Sequence, residues 1–136
     1  MARKKFTSAT FPSLRRRFAS YFIDLFIIIG AFMLVGYVID LVGSVPGWLR
    51  GSILIFTLFL YDPIFISLFG GTIGHQLLDM RVIHVKSSGN LNFGLAVLRF
   101  VVKVLLGWLS FLTIMFNPER RAIHDIISDS LVIKLN

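Results

Sequence analysis

Three long apolar stretches dominate the pattern of hydrophobic and polar positions along the chain. They cover residues 18–39, 52–69 and 93–116. A helix needs roughly 20 residues to cross a hydrocarbon core of about 30 Å, so the first two stretches predict transmembrane helices. We expect these two helices to form a hairpin, because the distribution of basic residues predicts that the chain returns to the cytoplasmic side.

The third apolar stretch is ambiguous because Arg99 and Lys103 lie inside it. Only residues 104–116 are free of charge, and their helix would reach about 20 Å, which is short of a full crossing. The Lys103 ammonium could extend toward the headgroups and so lengthen the span. Two alternatives stay open: a re-entrant segment that enters the membrane and returns, which we favour, and a third full span.

Shorter patterns predict a small cytoplasmic part. Residues 80–86 and 130–135 are rich in valine and isoleucine and bounded by polar or turn residues, which is typical of paired strands. Residues 117–130 begin with Asn-Pro and then place isoleucines on one face, which predicts a short amphipathic helix at the membrane surface. The predicted fold class is an all-α membrane protein with one two-stranded β pair, in a single domain over residues 1–136.

Composition supports a membrane location. Of the 136 residues, 56% are hydrophobic and 15% are charged, so the chain has more apolar surface than a soluble core of this size can bury. The net charge is +7, but the basic residues flank the apolar stretches, and we expect no nucleic-acid partner. The sequence contains no cysteine, which excludes disulfides and thiolate metal sites.

The distribution of basic residues predicts the orientation of the chain. Between the first two stretches, residues 40–51 contain a single basic residue, Arg50. Because basic residues concentrate on the cytoplasmic side, we expect residues 1–13 to be a cytoplasmic tail and residues 117–136 to be cytoplasmic too. The basic tail is also expected to attract anionic lipid. The residues that precede the first stretch and carry this signal are Arg3, Lys4, Lys5, Arg15, Arg16 and Arg17.

Asp24 is the most informative candidate for a functional residue, since it lies inside the first apolar stretch. A charged side chain at the centre of a membrane helix costs about 2.5 to 3.5 kcal/mol, so it normally has a partner or a function. One hypothesis is an ion or proton site, in which the carboxylate exchanges a proton for a cation. The other is a structural contact satisfied by Arg17, Tyr21 or Tyr61, or by the backbone.

Arg17 immediately precedes the first stretch and faces the same side of the helix as Asp24. The two are about 10 Å apart along the axis, which is too far for a direct bond. We expect Arg17 to pair with Asp125, since a guanidinium matches the geometry of a carboxylate. Asp62, beside Pro63, could add a second carboxylate to the same cavity. We favour the alternative, a helix-terminal residue in the interface, because Asp62 is near the cytoplasmic end of its span.

Other kinds of site find little support. The run from Gly70 to Gly74 lacks the lysine of a phosphate-binding loop and predicts a tight turn instead. The spacings of His75, His84 and His124 match no metal motif. No serine, histidine and acid arrangement is evident either, so we expect no enzyme, no metal and no cofactor.

Three runs in the sequence carry a resemblance: residues 17–24, 70–82 and 121–125. Taken in order, they resemble the RDD family of small bacterial membrane proteins. That family is named for one arginine and two aspartates, which correspond here to Arg17, Asp24 and Asp125. One departure is His75, where the family usually has a lysine or arginine, so the role of that cation could depend on pH here.

The resemblance implies a multi-pass protein of the bacterial plasma membrane, and ion transport, including sodium/proton exchange, has been proposed for members. We therefore expect cation/proton exchange. Alternating access needs two bodies around one site, so exchange predicts a homo-oligomer. The alternative is an accessory or scaffold subunit of a larger membrane partner. The expected charged set is Arg17, Asp24 and Asp125, supported by Asp62, His124, Tyr21 and Tyr61.

Overall fold

The computed structural model describes residues 11–135, so the predicted basic tail, with Arg3, Lys4 and Lys5, lies largely outside the described residues. The chain is mainly helical. The helices are α1 (Leu14–Val42), α2 (Gly47–Phe69), α3 (Ile73–Leu77), α4 (Phe93–Leu106), a 3-10 helix (Gly107–Met115) and α5 (Ile123–Ile127), and the strands are β1 (Met80–His84) and β2 (Ser130–Lys134).

Three helical segments are long and apolar enough to cross a membrane: Leu14–Val42, Gly47–Phe69 and Phe93–Met115. This confirms the prediction of three membrane-capable segments. Helix α1 begins earlier than predicted because Ser13 caps it, with its Oγ accepting a hydrogen bond from the Arg16 N–H at 3.3 Å. Helix α2 also begins earlier than predicted, directly after Pro46.

The third segment changes its geometry in the middle. Helix α4 begins after Asn92, whose side chain accepts a hydrogen bond from the Leu95 N–H at 2.8 Å. It ends at Leu106, because the next residue, Gly107, has a φ of 53°, in a region that favours glycine. The tighter 3-10 helix then continues to Met115.

Strands β1 and β2 pair antiparallel, with Val82 opposite Val132, and the predicted β pair is confirmed. These two valines pack on Ile66 of α2, so the sheet is attached to the membrane helices. Helix α5 is shorter than the helix predicted over residues 117–130. Its extent is limited by positive φ values at Arg120 (48°) and Asp129 (50°), which no helix can include.

The buried face of α1 is polar. Its buried residues are Arg17, Ser20, Asp24 and Ile39. By contrast, large apolar side chains of the same helix, such as Met33, which is 73% exposed, point away from the rest of the chain. An apolar exterior around a polar interior suits lipid and leaves the charged residues facing one another.

Candidate functional site

A balanced group of six charged side chains lies between the helices, and we call it the charged cluster. Five members are buried, and the side chain of Lys103 is 12% exposed. Helix α1 contributes two members, α2 one, α4 two and α5 one. Three carboxylates therefore meet three cations in a region where an unpaired charge is costly. The members are Arg17, Asp24, Asp62, Arg99, Lys103 and Asp125.

Asp125 joins α5 to both α1 and α4. Its Oδ2 accepts a hydrogen bond from Arg17 Nη1 at 2.6 Å, and its Oδ1 accepts one from Arg99 Nε at 3.1 Å. Burial raises the pKa of Asp125, but Arg17, His124 and Arg99 together lower it by a larger amount, so the pKa is well below its usual range. The structure thus places Arg17 and Asp125 in a direct ion pair between elements distant in sequence.

Asp62 forms the second ion pair of the charged cluster. Lys103 Nζ donates to Asp62 Oδ2 at 2.9 Å, and Arg99 Nη1 lies 3.8 Å from Asp62 Oδ1. Asp62 is only 4% exposed, so its environment is the protein interior and not an open helix end. Arg99 lies between Asp62 and Asp125 and links the two pairs into one network.

Asp24 differs from the other two carboxylates because all its hydrogen bonds come from neutral donors. Within residues 11–135, these donors are the Tyr61 hydroxyl at 2.8 Å, the Thr72 hydroxyl at 2.6 Å and the Gly74 N–H at 2.9 Å. Among the structural partners considered for Asp24, Tyr61 is therefore a hydrogen-bond partner in the structure, whereas Arg17 is not. Arg17 pairs with Asp125 instead. Tyr21 packs beneath Lys103, with 5.6 Å between Nζ and the ring centroid.

The glycine-rich turn after α2 brings two of these donors to Asp24. Gly70 ends α2 with a φ of 75°, and Thr72 then caps α3 by accepting a hydrogen bond from the His75 N–H. Gly74 lies so close to α1 that an added Cβ would be 2.4 Å from the Ser20 carbonyl oxygen. The predicted tight turn therefore also serves as a binding loop for the Asp24 carboxylate.

The two buried histidines next to the cluster are neutral at neutral pH. Their Nδ1 atoms contact hydroxyl groups: His75 contacts Thr72 at 2.6 Å, and His124 contacts Ser110 at 2.5 Å. Burial, together with the nearby cation Arg99, lowers the pKa of His124 to about 3 and that of His75 well below its usual value. His75 thus does not supply the positive charge that the family usually has at this position.

We expect these histidines to make the fold sensitive to acid. An unfolded histidine, with a pKa of about 6.5, binds a proton that the buried neutral form does not, so stability is lost as the pH falls below about 6.5. For each histidine the free energy of unfolding should fall by about 1.4 kcal/mol per pH unit. Chemical unfolding in detergent across this range measures the slope, and His124→Gln should reduce it. A slope that His124→Gln leaves unchanged would contradict the assignment.

Two cavities meet at Asp24. The smaller, about 10 Å³, has room for roughly one water and lies inside the charged cluster beside Arg17, Arg99 and His75. The larger, about 250 Å³, lies between α1, α2 and α4. The side chains that line both are Tyr21, Asp24 and Lys103. Within residues 11–135, no three histidine or acidic side chains are placed to hold a metal ion.

Sequence reasoning missed four contributors to this site. Arg99 and Lys103 entered only as interruptions of an apolar stretch, although their spacing of one helical turn places both on one face. This spacing, together with the excess of carboxylates over basic residues in the other apolar stretches, could have identified Arg99 and Lys103 as members of the site. Thr72 and Gly74 gave no such signal, because their partner Asp24 lies far away in sequence.

The fold and the charged cluster define a class: a multi-pass helical membrane protein with a polar interior and three candidate spans. A family model described as the RDD family matches residues 11–129. The chain therefore belongs to the RDD family, as its three sequence motifs predicted.

Two relatives give the extent of the similarity. The chain is 27% identical over 75 residues to the uncharacterized membrane protein YteJ of Bacillus subtilis, which covers 54% of this chain and 46% of YteJ. It is 28% identical over 76 residues to an uncharacterized protein of Haemophilus influenzae, which covers 52% of this chain and 49% of that protein. The matched region thus spans about half the length of each relative. No solved structure matches the chain.

Proposed function

We propose that the protein exchanges cations for protons across the membrane, with Asp24 as the exchanging carboxylate. One observation carries the proposal: within residues 11–135, Asp24 is the carboxylate of the charged cluster that has no cationic partner, and it lines both cavities. A membrane carboxylate without a fixed counter-ion can bind either a proton or a cation.

The charge balance of the cluster supports exchange at a single site. Arg17, Arg99 and Lys103 balance the three carboxylates, so the total charge is zero when Asp24 is ionised. Binding of either one proton or one monovalent cation at Asp24 gives the charged cluster the same total charge of +1. The two occupied states would therefore have similar electrostatic cost in the membrane, which favours one-for-one exchange.

We further propose that the third segment is re-entrant. Arg99 of α4 contacts Asp125 at 3.1 Å, and Ser110 of the 3-10 helix contacts the adjacent His124 at 2.5 Å. A straight helix would separate residues 99 and 110 by about 16 Å. Because Arg99 and Ser110 contact two adjacent residues, Asp125 and His124, these contacts support a segment that turns back near Gly107 to the side where it entered. In this topology α1 and α2 form a hairpin, and both chain ends are on the cytoplasmic side of a bacterial plasma membrane.

Single cysteines test this topology, since the sequence contains none. Cysteines replacing Ser88 and Glu119 should react with a membrane-impermeant maleimide from the same side, and one replacing Ser44 from the opposite side. The comparison uses sealed vesicles of both orientations. Labelling of positions 88 and 119 from opposite sides would establish three full spans instead.

An accessory role is the alternative function, and the exposed apolar face of α1 is compatible with it. Large apolar side chains such as Phe26 (73% exposed) would suit either lipid or a larger membrane partner.

Autonomous exchange has a further requirement, because alternating access needs two bodies that move around the site. The exchange proposal therefore includes a homo-oligomer.

We expect Asp24→Asn to abolish cation-driven proton movement. Purified protein in proteoliposomes with a preset pH gradient would receive sodium, potassium or hexyltrimethylammonium, and a pH dye would report the response. Asparagine cannot release a proton, so the exchanging group would be lost. The control is Asp40→Asn, which makes the same change in α1 at a carboxylate that is 62% exposed and paired with Arg50.

Each outcome has a clear meaning when both variants remain folded by size-exclusion chromatography and thermal unfolding. Exchange by the wild type and Asp40→Asn, but not by Asp24→Asn, supports the proposal. Equal exchange by all three proteins rules out Asp24 as the exchanging group. If the wild type responds to none of the cations, autonomous exchange is rejected, and co-purification should identify the larger partner.

A further inference from the structure

The larger cavity, between α1, α2 and α4, has two chemically different ends, and we call it the interhelical cavity. Its volume is about 250 Å³. The polar end carries Tyr21, Asp24, Tyr61, Asp62 and Lys103. The rest of its wall is apolar and is formed by Leu25, Ile28, Leu58, Phe59, Phe100 and Val104. A cavity with this division fits a molecule that has a polar head and an apolar tail.

The charge of the polar end selects the sign of that head. Asp24 and Asp62 carry two negative charges, and Lys103 carries one positive charge, so this lining has a net charge of −1. Lys103 Nζ already pairs with Asp62 Oδ2 at 2.9 Å, and Arg99 Nη1 lies 3.8 Å from Asp62 Oδ1. Asp24 has only neutral hydrogen-bond donors within residues 11–135, so its carboxylate is the group that attracts a cationic head.

The apolar wall argues against a bare inorganic ion. A small cation could receive oxygen ligands only at the polar end, and it would lose the rest of its hydration shell against the aliphatic and aromatic side chains. An organic cation gains from the same surfaces, because its hydrocarbon part is removed from water. The ring of Tyr21 at the polar end can further contact a cation, as it contacts Lys103.

We propose that the interhelical cavity binds an alkyl- or arylammonium monocation. The ammonium group lies beside Asp24, and the tail lies against the apolar wall near Leu58 and Phe100. This inference rests on the proposed exchange function and names the class of cation that exchanges with the proton at Asp24.

Calorimetric titration of the full chain in lipid nanodiscs tests the proposal, with heats from empty nanodiscs subtracted. The three probes are hexylammonium, methylammonium and 1-hexanol, which provide head with tail, head alone and tail alone. Hexylammonium should bind, and the other two should bind roughly tenfold or more weakly, because each lacks one half of the recognised structure. Asp40→Asn should bind hexylammonium as the wild type does.

Two variants separate the two ends of the site. Asp24→Asn should weaken hexylammonium binding by roughly tenfold or more through loss of the charge. Leu58→Trp leaves the charged residues in place and should fill the tail region, so hexylammonium should lose its advantage over methylammonium. The second variant keeps the proposal testable if the first one fails to fold.

The outcomes distinguish this inference from the exchange proposal. Equal binding of 1-hexanol and hexylammonium would show a neutral lipid-tail site and overturn the inference, as would the absence of hexylammonium binding to the wild type. Proton movement in the proteoliposomes with sodium or potassium, but not with hexyltrimethylammonium, would also overturn it while leaving exchange through Asp24 intact.

Discussion

Replacing Asp125 by asparagine is expected to destabilise the protein by about 3 to 5 kcal/mol, because it removes the shared partner of two buried cations. Arg17 Nη1 lies 2.6 Å from Asp125 Oδ2, and Arg99 Nε lies 3.1 Å from Oδ1. All three side chains are at most 3% exposed, so water cannot replace the lost charge. Denaturant or thermal unfolding in detergent measures the loss of stability.

The matched control is Asp129→Asn, four residues further along in the same segment. Asp129 is exposed and has a positive φ of 50°, which asparagine also tolerates, so little change in stability is expected. A loss below about 1 kcal/mol for Asp125→Asn would mean that Arg17 and Arg99 find other partners, because an uncompensated buried charge costs more than that. In that case Asp125 does not hold α1, α4 and α5 together.

Local sequence pattern predicted the elements of this fold because lipid imposes its constraint locally. The length of an apolar run determines whether it can cross a membrane, and three such runs appear in the structure. The strands were also predictable, since residues 80–86 and 130–135 carry the valine and isoleucine content of paired strands. Helix ends were less accurate, because the Ser13 cap extends α1 beyond the apolar run that predicted it.

Partners within the charged cluster could not be predicted in the same way. Thr72 lies 48 positions from Asp24 in sequence, and Gly74 contributes only a backbone N–H, which no residue pattern reveals. The role of Arg99 in the charged cluster was not predicted, because its location in an apolar stretch was interpreted only as an interruption of that stretch. Such contacts depend on how whole helices and turns pack, which the spacing of residues along one helix does not determine. Asp24 was nevertheless recognisable as a candidate, because a carboxylate in an apolar run is unusual by itself.

Replacing Gly74 by alanine is expected to destabilise the protein by about 3 kcal/mol, because the new methyl group has no space. Its Cβ would lie 2.4 Å from the Ser20 carbonyl oxygen and 2.9 Å from Asp24 Cγ. Both obstacles belong to α1, and the first is backbone, so α3 must move away from α1. This movement would break the hydrogen bond of 2.9 Å from the Gly74 N–H to Asp24.

The control is Gly30→Ala in the same helix as Asp24, where nothing lies within 4 Å of the added Cβ. Alanine favours a helix over glycine, so this variant should be neutral or stabilised by up to about 1 kcal/mol. Thermal unfolding compares the two variants, and the proteoliposome measurement compares their exchange. If Gly74→Ala folds with normal stability and exchanges cations normally, then the close approach of α3 is not needed to position Asp24. If it folds but exchange is lost while Gly30→Ala retains it, the N–H of Gly74 is part of the site that prepares Asp24 for exchange.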